Sequence, residues 1–139
     1  MPLSEIARRA NVAPATVHER LAKLRKSGVV QSFCVRLDPR LLGYSVAALI
    51  RLRTGLAAEV EKTVEGLRAI REVEEVHVIT GEYDLVIKVR ARNTEHLQQL
   101  LVNQIHRVAG IVRSATEVCL TSPLERLGPF VANPPAHDA

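Results

Sequence analysis

The sequence lacks the features that mark membrane and secreted proteins. None of its apolar runs approaches the roughly 18 residues that a membrane-spanning helix needs. The N-terminus also lacks the charged-then-apolar pattern of a signal peptide. We therefore expect a cytoplasmic protein with no membrane partner.

Groups with recognisable catalytic or metal-binding spacing are also missing. The two cysteines, Cys34 and Cys119, lie far apart and fit neither a disulfide framework nor a metal site. The five histidines share no ligand spacing. There is no phosphate-cradling glycine loop and no nucleophile elbow. The sequence thus predicts no catalytic residue, no metal and no cofactor, and it argues against an enzyme.

Charge is present but unevenly distributed. Residues 1–40 carry eight basic and three acidic side chains, a net charge of +5, whereas the rest carries eleven basic and twelve acidic ones. The whole chain is +4. A short basic segment on a near-neutral body suggests a head that binds a polyanion, although a solvated basic face would look similar.

The first thirty residues have the pattern of a helix-turn-helix. Ser4 is predicted to cap a short first helix, and Asn11 to form the turn after it. Pro14 suits the first turn of a second helix, and Gly28 suits its left-handed end. Such a second helix enters the major groove of DNA. A helical hairpin with a charged face is the alternative.

The second helix is predicted to bury one side and to present the other to DNA. Val17, Leu21 and Leu24 recur at helical spacing and should be buried. Side chains near the N-terminal end would meet base edges, and those further along would meet phosphates. The base-contact candidates are Ala13, Ala15, Thr16, His18 and Glu19, and the phosphate-contact candidates are Arg20, Lys23, Arg25 and Lys26.

The head is predicted to end in a connecting strand. Residues 29–37 are rich in β-formers, and Asp38-Pro39 should end the strand. With this connector, the first domain spans residues 1–40.

The pattern of apolar residues over 41–121 predicts a second domain with the order βαββαβ, a ferredoxin-like split βαβ unit. Residues 122–139 form a proline-rich tail with room for a single helical turn at 124–127. The predicted strands lie near residues 45–53, 73–80, 85–90 and 111–120, and the helices lie near 57–70 and after Asn93.

The predicted strands carry apolar residues on both faces of the sheet. Two helices can cover only one face, so the other would be an apolar patch typical of an interface. A homodimer formed sheet to sheet or edge to edge is therefore expected, with higher assembly beyond it. In one strand Leu85, Ile87 and Val89 alternate with Val86, and in another Val46, Ala48 and Ile50 alternate with Ala47, Leu49 and Leu52.

The segment Thr80-Gly81-Glu82-Tyr83-Asp84 has the residues of a small-molecule loop. Gly81 supplies a positive φ and leaves backbone N–H groups free to face a small anionic group. Tyr83 offers a rigid ring with a polar tip, and Asp84 could pair with an ammonium group. A hairpin turn made of turn-forming residues is the alternative, and the residues alone favour it.

Four segments in order give the chain a specific resemblance: LSEIARRANVAPATVHERLAKLRKSGVV, LDPRLLGY, TGEYDLVIKV and GIVRSATEVCL. Over roughly residues 3–121, the chain resembles the leucine-responsive regulatory protein/AsnC (Lrp/AsnC) family of bacterial and archaeal transcription regulators. The resemblance implies an α+β protein, with a winged-helix-type helix-turn-helix followed by a ferredoxin-like βαββαβ sensing domain.

The resemblance also implies partners and an effector site. Such regulators bind double-stranded DNA as dimers or octamers, and they respond to an amino acid or a related small molecule. Their effector sites lie between sensing domains, near the Gly-x-Tyr-Asp loop. This makes Gly81, Glu82, Tyr83 and Asp84 effector-site candidates, together with Thr116 on the last strand.

The chain departs from the family pattern at its start. Members carry a further helix before the one at Ser4, and it would cover Ile6, Val17 and Leu21. We therefore expect an N-terminus that continues upstream, in preference to a weakened head or to cover from another chain. Two other functions stay open: a stand-alone sensing module that does not bind DNA, and an enzyme on the same fold resembling siroheme decarboxylases. The basic head favours DNA binding.

Overall fold

The chain forms two compact units in a computed structural model that describes residues 2–55 and 59–125. The division falls between Leu37 and Asp38. We call the first unit the head and the second the sheet domain.

The head contains α1 (Leu3–Arg9) and α2 (Pro14–Lys26). Ser4 is not the cap of α1, and that prediction is wrong. The N–H of Glu5 donates to the carbonyl of Pro2, so Ser4 already lies in the first turn. The predicted turn at Asn11 is confirmed, because that residue takes a φ of 51°.

The second helix ends as its sequence predicts. Ser27 occupies the cap position, and Gly28 follows with a φ of 78°. The N–H of Val30 then donates to the carbonyl of Leu24 over 3.1 Å, which satisfies one of the last helical carbonyls. Glycine adopts this left-handed conformation without a steric penalty, so the chain can leave the helix here.

The contact between α1 and α2 is shallow. Ala7, at 2% exposure, is the one buried residue among those described in the head. Val17 and Leu21 are half-buried, and Leu24 is 42% exposed. The prediction that all three apolar side chains of α2 are buried is therefore wrong for Leu24. The short α1 does not reach far enough to cover the last turn of its neighbour.

The strand predicted at residues 29–37 is absent from the described structure, so that prediction is wrong. Val29, Phe33 and Val35 are 71%, 66% and 83% exposed. A strand exists only when a neighbour accepts and donates its backbone hydrogen bonds. Within residues 2–55 and 59–125, no segment pairs with this one, and its β-forming residues alone leave it an unpaired connector.

The sheet domain has one antiparallel sheet in the order β2-β3-β1-β4. This order and the alternation of strands and helices confirm the predicted ferredoxin-like βαββαβ arrangement. The predicted helical turn at 124–127 lies mostly outside the described residues. The elements are β1 (Val46–Thr54), α3 (Val60–Arg68), β2 (Val73–Val78), β3 (Leu85–Ala91), α4 (Thr94–Asn103), a 3₁₀ turn (Ile105–Arg107) and β4 (Ile111–Cys119).

The core lies between one face of the sheet and the two helices. Ile50 of β1 is opposite Ile87 of β3, and both are fully buried. Leu52 is also fully buried, because residues two apart on a strand share a face. Its predicted place on the other face is wrong. The helices close this core with Leu67, Leu97 and Leu100.

The other face of the sheet, which we call the open face, is more polar than predicted. Its apolar residues, among them Leu49, lie between ion pairs. Lys88 Nζ is 2.6 Å from Glu125 Oε1, and Arg90 Nε is 2.9 Å from Glu74 Oε1. Glu125 follows β4 yet binds side chains of β3. The segment after β4 therefore crosses β1 on the open face.

Candidate functional site

Of the predicted DNA-contact residues, Ala13 is the N-cap of α2 and the others lie within the helix. Thr16 is half-buried, and all the others are exposed. Val17 and Leu21 are half-buried, and the opposite side of the helix is exposed. With 13 residues, α2 is long enough to lie across a major groove about 12 Å wide.

Positive charge is concentrated in the second half of α2. The helix has four basic side chains and one acidic side chain. That acid, Glu19, pairs with Lys23 across 2.9 Å, and this contact holds the pKa of Glu19 below its ordinary value. Both side chains are largely exposed, so the pair is weak and Lys23 can exchange it for a phosphate.

The two cations of α1 share a single carboxylate within the helix. Glu5 accepts hydrogen bonds from Arg8 over 2.7 Å and from Arg9 over 2.9 Å. The contact with Arg8 contributes most to lowering the pKa of Glu5. Arg25 of α2 lies over the Phe33 ring, 5.9 Å from its centroid. The net charge of α1 is therefore +1 and that of α2 is +3, so more of the basic excess lies on α2 than on α1.

In the sheet domain, the candidate effector loop joins β2 to β3. The N–H of Ile79 donates to the carbonyl of Asp84 over 2.9 Å and closes the loop. Gly81 takes a φ of 125° at its exposed tip, as predicted. The N–H groups of Gly81 and Glu82 donate to no acceptor within the described ranges. The tip is therefore free to donate to an anionic group.

Asp84 fixes this loop to the end of β1. Its N–H donates to the carbonyl of Leu52 over 3.0 Å. Its Oδ2 accepts from the N–H of Thr54 over 2.7 Å and from the Thr54 hydroxyl over 2.9 Å. The backbone hydrogen bond is the larger cause of the lowered pKa of Asp84. The carboxylate thus positions the loop, and one of its oxygens is already occupied.

Tyr83 is the buried centre of the loop, at 8% exposure. The guanidinium carbons of Arg51 and Arg113 lie 5.4 and 5.8 Å from the centroid of its ring. Arg51 also pairs with Glu117, and Arg113 Nη1 lies 3.0 Å from Glu82 Oε1. The loop therefore meets the open face at a small cluster of two cations and two carboxylates, which we call the arginine cluster.

The sequence predictions missed Arg51, Arg113 and Glu117. The available signal was strand alternation, since Arg51 shares a face with Leu49 rather than with the core residue Ile50. Thr116 was predicted for this site, but the structure does not place it there. It is opposite Ile50, on the helix side of the edge strand β4, whereas the arginine cluster lies on the open face.

Among the residues that the structure describes, no three His, Cys, Asp or Glu side chains are grouped to hold a metal ion. Cys34 is exposed and Cys119 is half-buried, and both are free thiols. No helix in this part of the chain is both long and apolar enough to cross a membrane.

Profiles of known protein families match both units. The profile of the Lrp/AsnC ligand binding domain matches residues 45–129. A winged helix-turn-helix DNA-binding profile matches residues 1–31. These matches cover the candidate effector loop and α2 respectively.

Known proteins align along most of the chain. The HTH-type transcriptional regulator FL11 of Pyrococcus horikoshii is 38% identical over 121 residues, or 86% of this chain and 78% of that protein. The structure of Escherichia coli AsnC aligns with a TM-score of 0.82 at 30% identity, covering 90% of this chain and 84% of that one. A feast or famine regulatory protein of M. tuberculosis, solved with L-methionine, aligns with a TM-score of 0.81 at 27% identity, covering 89% and 83%.

Together, the fold and these matches define a transcription regulator in which a helix-turn-helix head is joined to a ligand-binding domain. The chain belongs to the Lrp/AsnC family. The resemblance read from the sequence and the predicted fold class are confirmed, and so is the predicted role in DNA-binding transcription regulation.

Proposed function

We propose that this regulator binds double-stranded DNA through α2 and changes its output when the sheet domain binds an amino acid or a related small molecule. In this proposal residues 1–40 read DNA and residues 41–121 sense the effector. The observation that carries the proposal is the loop at Gly81 and Glu82, whose free amides lie beside the arginine cluster. The M. tuberculosis relative solved with L-methionine supports the effector class.

The proposal assigns separate roles along α2. Ala13, Ala15, Thr16, His18 and Glu19 would contact base edges, and Arg20, Lys23, Arg25 and Lys26 would contact phosphates. Phosphate contacts release counterions, so affinity should fall steeply with salt.

The proposal also includes self-association, as a homodimer that assembles to an octamer. Exposed apolar side chains support it. Leu37 and Leu41 are 61% and 87% exposed in and just after the connector, and Leu49 is 38% exposed on the open face. The chain would act as a cytoplasmic regulator and not as an enzyme, in keeping with the regulators it matches.

The test is DNA binding by the purified full chain, measured by fluorescence anisotropy with its own promoter region. Each of the twenty proteinogenic L-amino acids is added in turn. We expect salt-sensitive binding, and at least one amino acid should change the dissociation constant severalfold. Promoter binding that none of the twenty changes would contradict the effector class. Light scattering on the same sample tests the assembly, and a monomeric mass at micromolar concentration would contradict it.

A further inference from the structure

The ion pair between Arg113 and Glu82 lies at the exposed side of the candidate effector loop. We propose that this pair recognises the two charges of an α-amino acid: Arg113 binds the carboxylate and Glu82 binds the ammonium group. The inference rests on the proposed function, because it assumes an amino-acid effector. It adds Arg113, a residue of β4, to a site that the sequence placed on the loop and at Thr116.

The hydrogen bonds of Asp84 make Glu82 the better partner for the ammonium group of the amino acid. One oxygen of Asp84 already accepts two hydrogen bonds from Thr54, at 2.7 and 2.9 Å, and holds the loop on β1. The side chain of Glu82 is 62% exposed and touches Arg113 alone among its ion-pair partners in the described structure. Glu82 can therefore turn toward an arriving cation without loosening the loop.

The charge balance of the arginine cluster fits a zwitterion. Arg51 and Arg113 are cations, and Glu82 and Glu117 are anions, so the cluster is neutral. An α-amino acid that enters between Arg113 and Glu82 replaces one contact by two and leaves every charge paired. A simple amine or a simple acid would leave one arginine or one glutamate without its partner, which disfavours both.

The exchange requires only exposed side chains to move. Arg113 and Glu82 are 59% and 62% exposed, and solvent-exposed ion pairs are weak. Tyr83, at 8% exposure, and the half-buried Arg51 form the floor beneath them and stay in place. The free amides at Gly81 and Glu82 offer further donors to the bound carboxylate.

Isothermal titration of the full chain tests the assignment. The tightest-binding member of the twenty proteinogenic L-amino acids serves as the probe. It is compared with its methyl ester, which lacks the carboxylate charge, and with its N-acetyl derivative, which lacks the ammonium charge. The wild-type chain should bind both blocked forms at least about tenfold more weakly than the parent, because each loses a charge-assisted contact.

Two variants remove the partners one at a time. Arg113→Gln should weaken binding of the parent amino acid roughly ten- to hundredfold and make the chain bind the parent and its methyl ester almost equally. Glu82→Gln should do the same for the parent and its N-acetyl form. The matched controls are Arg71→Gln and Glu95→Gln, which lie at the opposite end of the sheet from the loop and should bind as wild type does.

The outcomes separate this inference from the proposed function. Wild-type binding that Arg113→Gln and Glu82→Gln leave within about twofold, with unchanged discrimination of the blocked forms, overturns the assignment and leaves the effector class intact. No binding of any amino acid by the wild-type chain contradicts the effector class, and the assignment fails with it. Unchanged circular dichroism of each variant shows that the loss is not due to unfolding.

Discussion

The head and the sheet domain differ most in what holds them together. In the described head one residue, Ala7, is buried, whereas the sheet domain encloses a cluster that includes the fully buried Ile50 and Leu100. Both have well-formed helices. Most side chains of the head are therefore exposed and many are charged, and its apolar side chains are only partly buried. The sheet domain has its core on one face of the sheet and the arginine cluster on the other face.

One substitution of an apolar residue by alanine in each unit should sharpen this difference most. Ile50→Ala removes a fully buried side chain from a central strand and should lower the free energy of unfolding by about 2–5 kcal/mol. Leu24→Ala in α2, where the side chain is 42% exposed, should cost about 0.5 kcal/mol or less. Thermal unfolding of the full chain followed by circular dichroism gives both values. Equal losses in the two variants would show that the head has a core of its own.

A smaller effect should follow from removing one carboxylate of the open-face network. Glu125 accepts hydrogen bonds from Lys88 over 2.6 Å and from Arg90 over 2.8 Å. Because these side chains are partly buried, Glu125→Gln should cost about 1 kcal/mol. In the head, Glu5→Gln should lower the unfolding temperature less, because both arginine partners of Glu5 are largely exposed. A larger fall in unfolding temperature for Glu5→Gln than for Glu125→Gln would contradict the view that ion pairs stabilise the sheet domain more than the head.

The smallest expected effect is a fall in the unfolding temperature at acid pH. Hydrogen bonds from Lys88, then from Arg90, lower the pKa of Glu125, and hydrogen bonds from Thr54 lower that of Asp84. A carboxylate with a lowered folded pKa contributes its full stabilisation above its unfolded pKa and loses it as the pH falls through the folded value. The unfolding temperature should therefore be level near neutral pH and fall below about pH 4.5.

The Glu125→Gln variant provides the control for that titration. It should show a shallower decline below pH 4.5 than the wild-type chain, since one of the titrating groups is gone. An equally steep decline in both chains would contradict the contribution assigned to Glu125.

The sequence predicted the order of helices and strands, because strand alternation, the cap at Asn93 and the end of α2 at Gly28 are local signals. Asn93 Oδ1 accepts from the N–H of His96, as its place before α4 suggested. Predictions that depended on distant partners were less successful. Residues 29–37 have the composition of a strand, yet a strand also needs a neighbour, and no local signal reports one.

The candidate effector site shows the same division between local and distant information. The loop at Gly81 was predicted from turn chemistry within five residues. Arg113 and Arg51 both reach Tyr83 only because β1 and β4 pair in one register, and a one-residue slip of β4 would turn Arg113 to the core side of the sheet. Such a register is set by the whole hydrophobic pattern of the sheet. Thr116 was assigned by resemblance alone and lies on the other face.

The measurement that tests the account most directly is the salt dependence of promoter binding by the full chain and two α2 variants. We expect the logarithm of affinity to fall linearly with the logarithm of salt concentration. Arg20→Ala and Lys23→Ala should each weaken binding at every salt concentration and reduce the slope by about 1. Arg71→Ala in the sheet domain serves as the matched control and should keep the wild-type slope. Wild-type affinity and slope in both α2 variants would contradict the assignment of α2 as the helix that binds DNA.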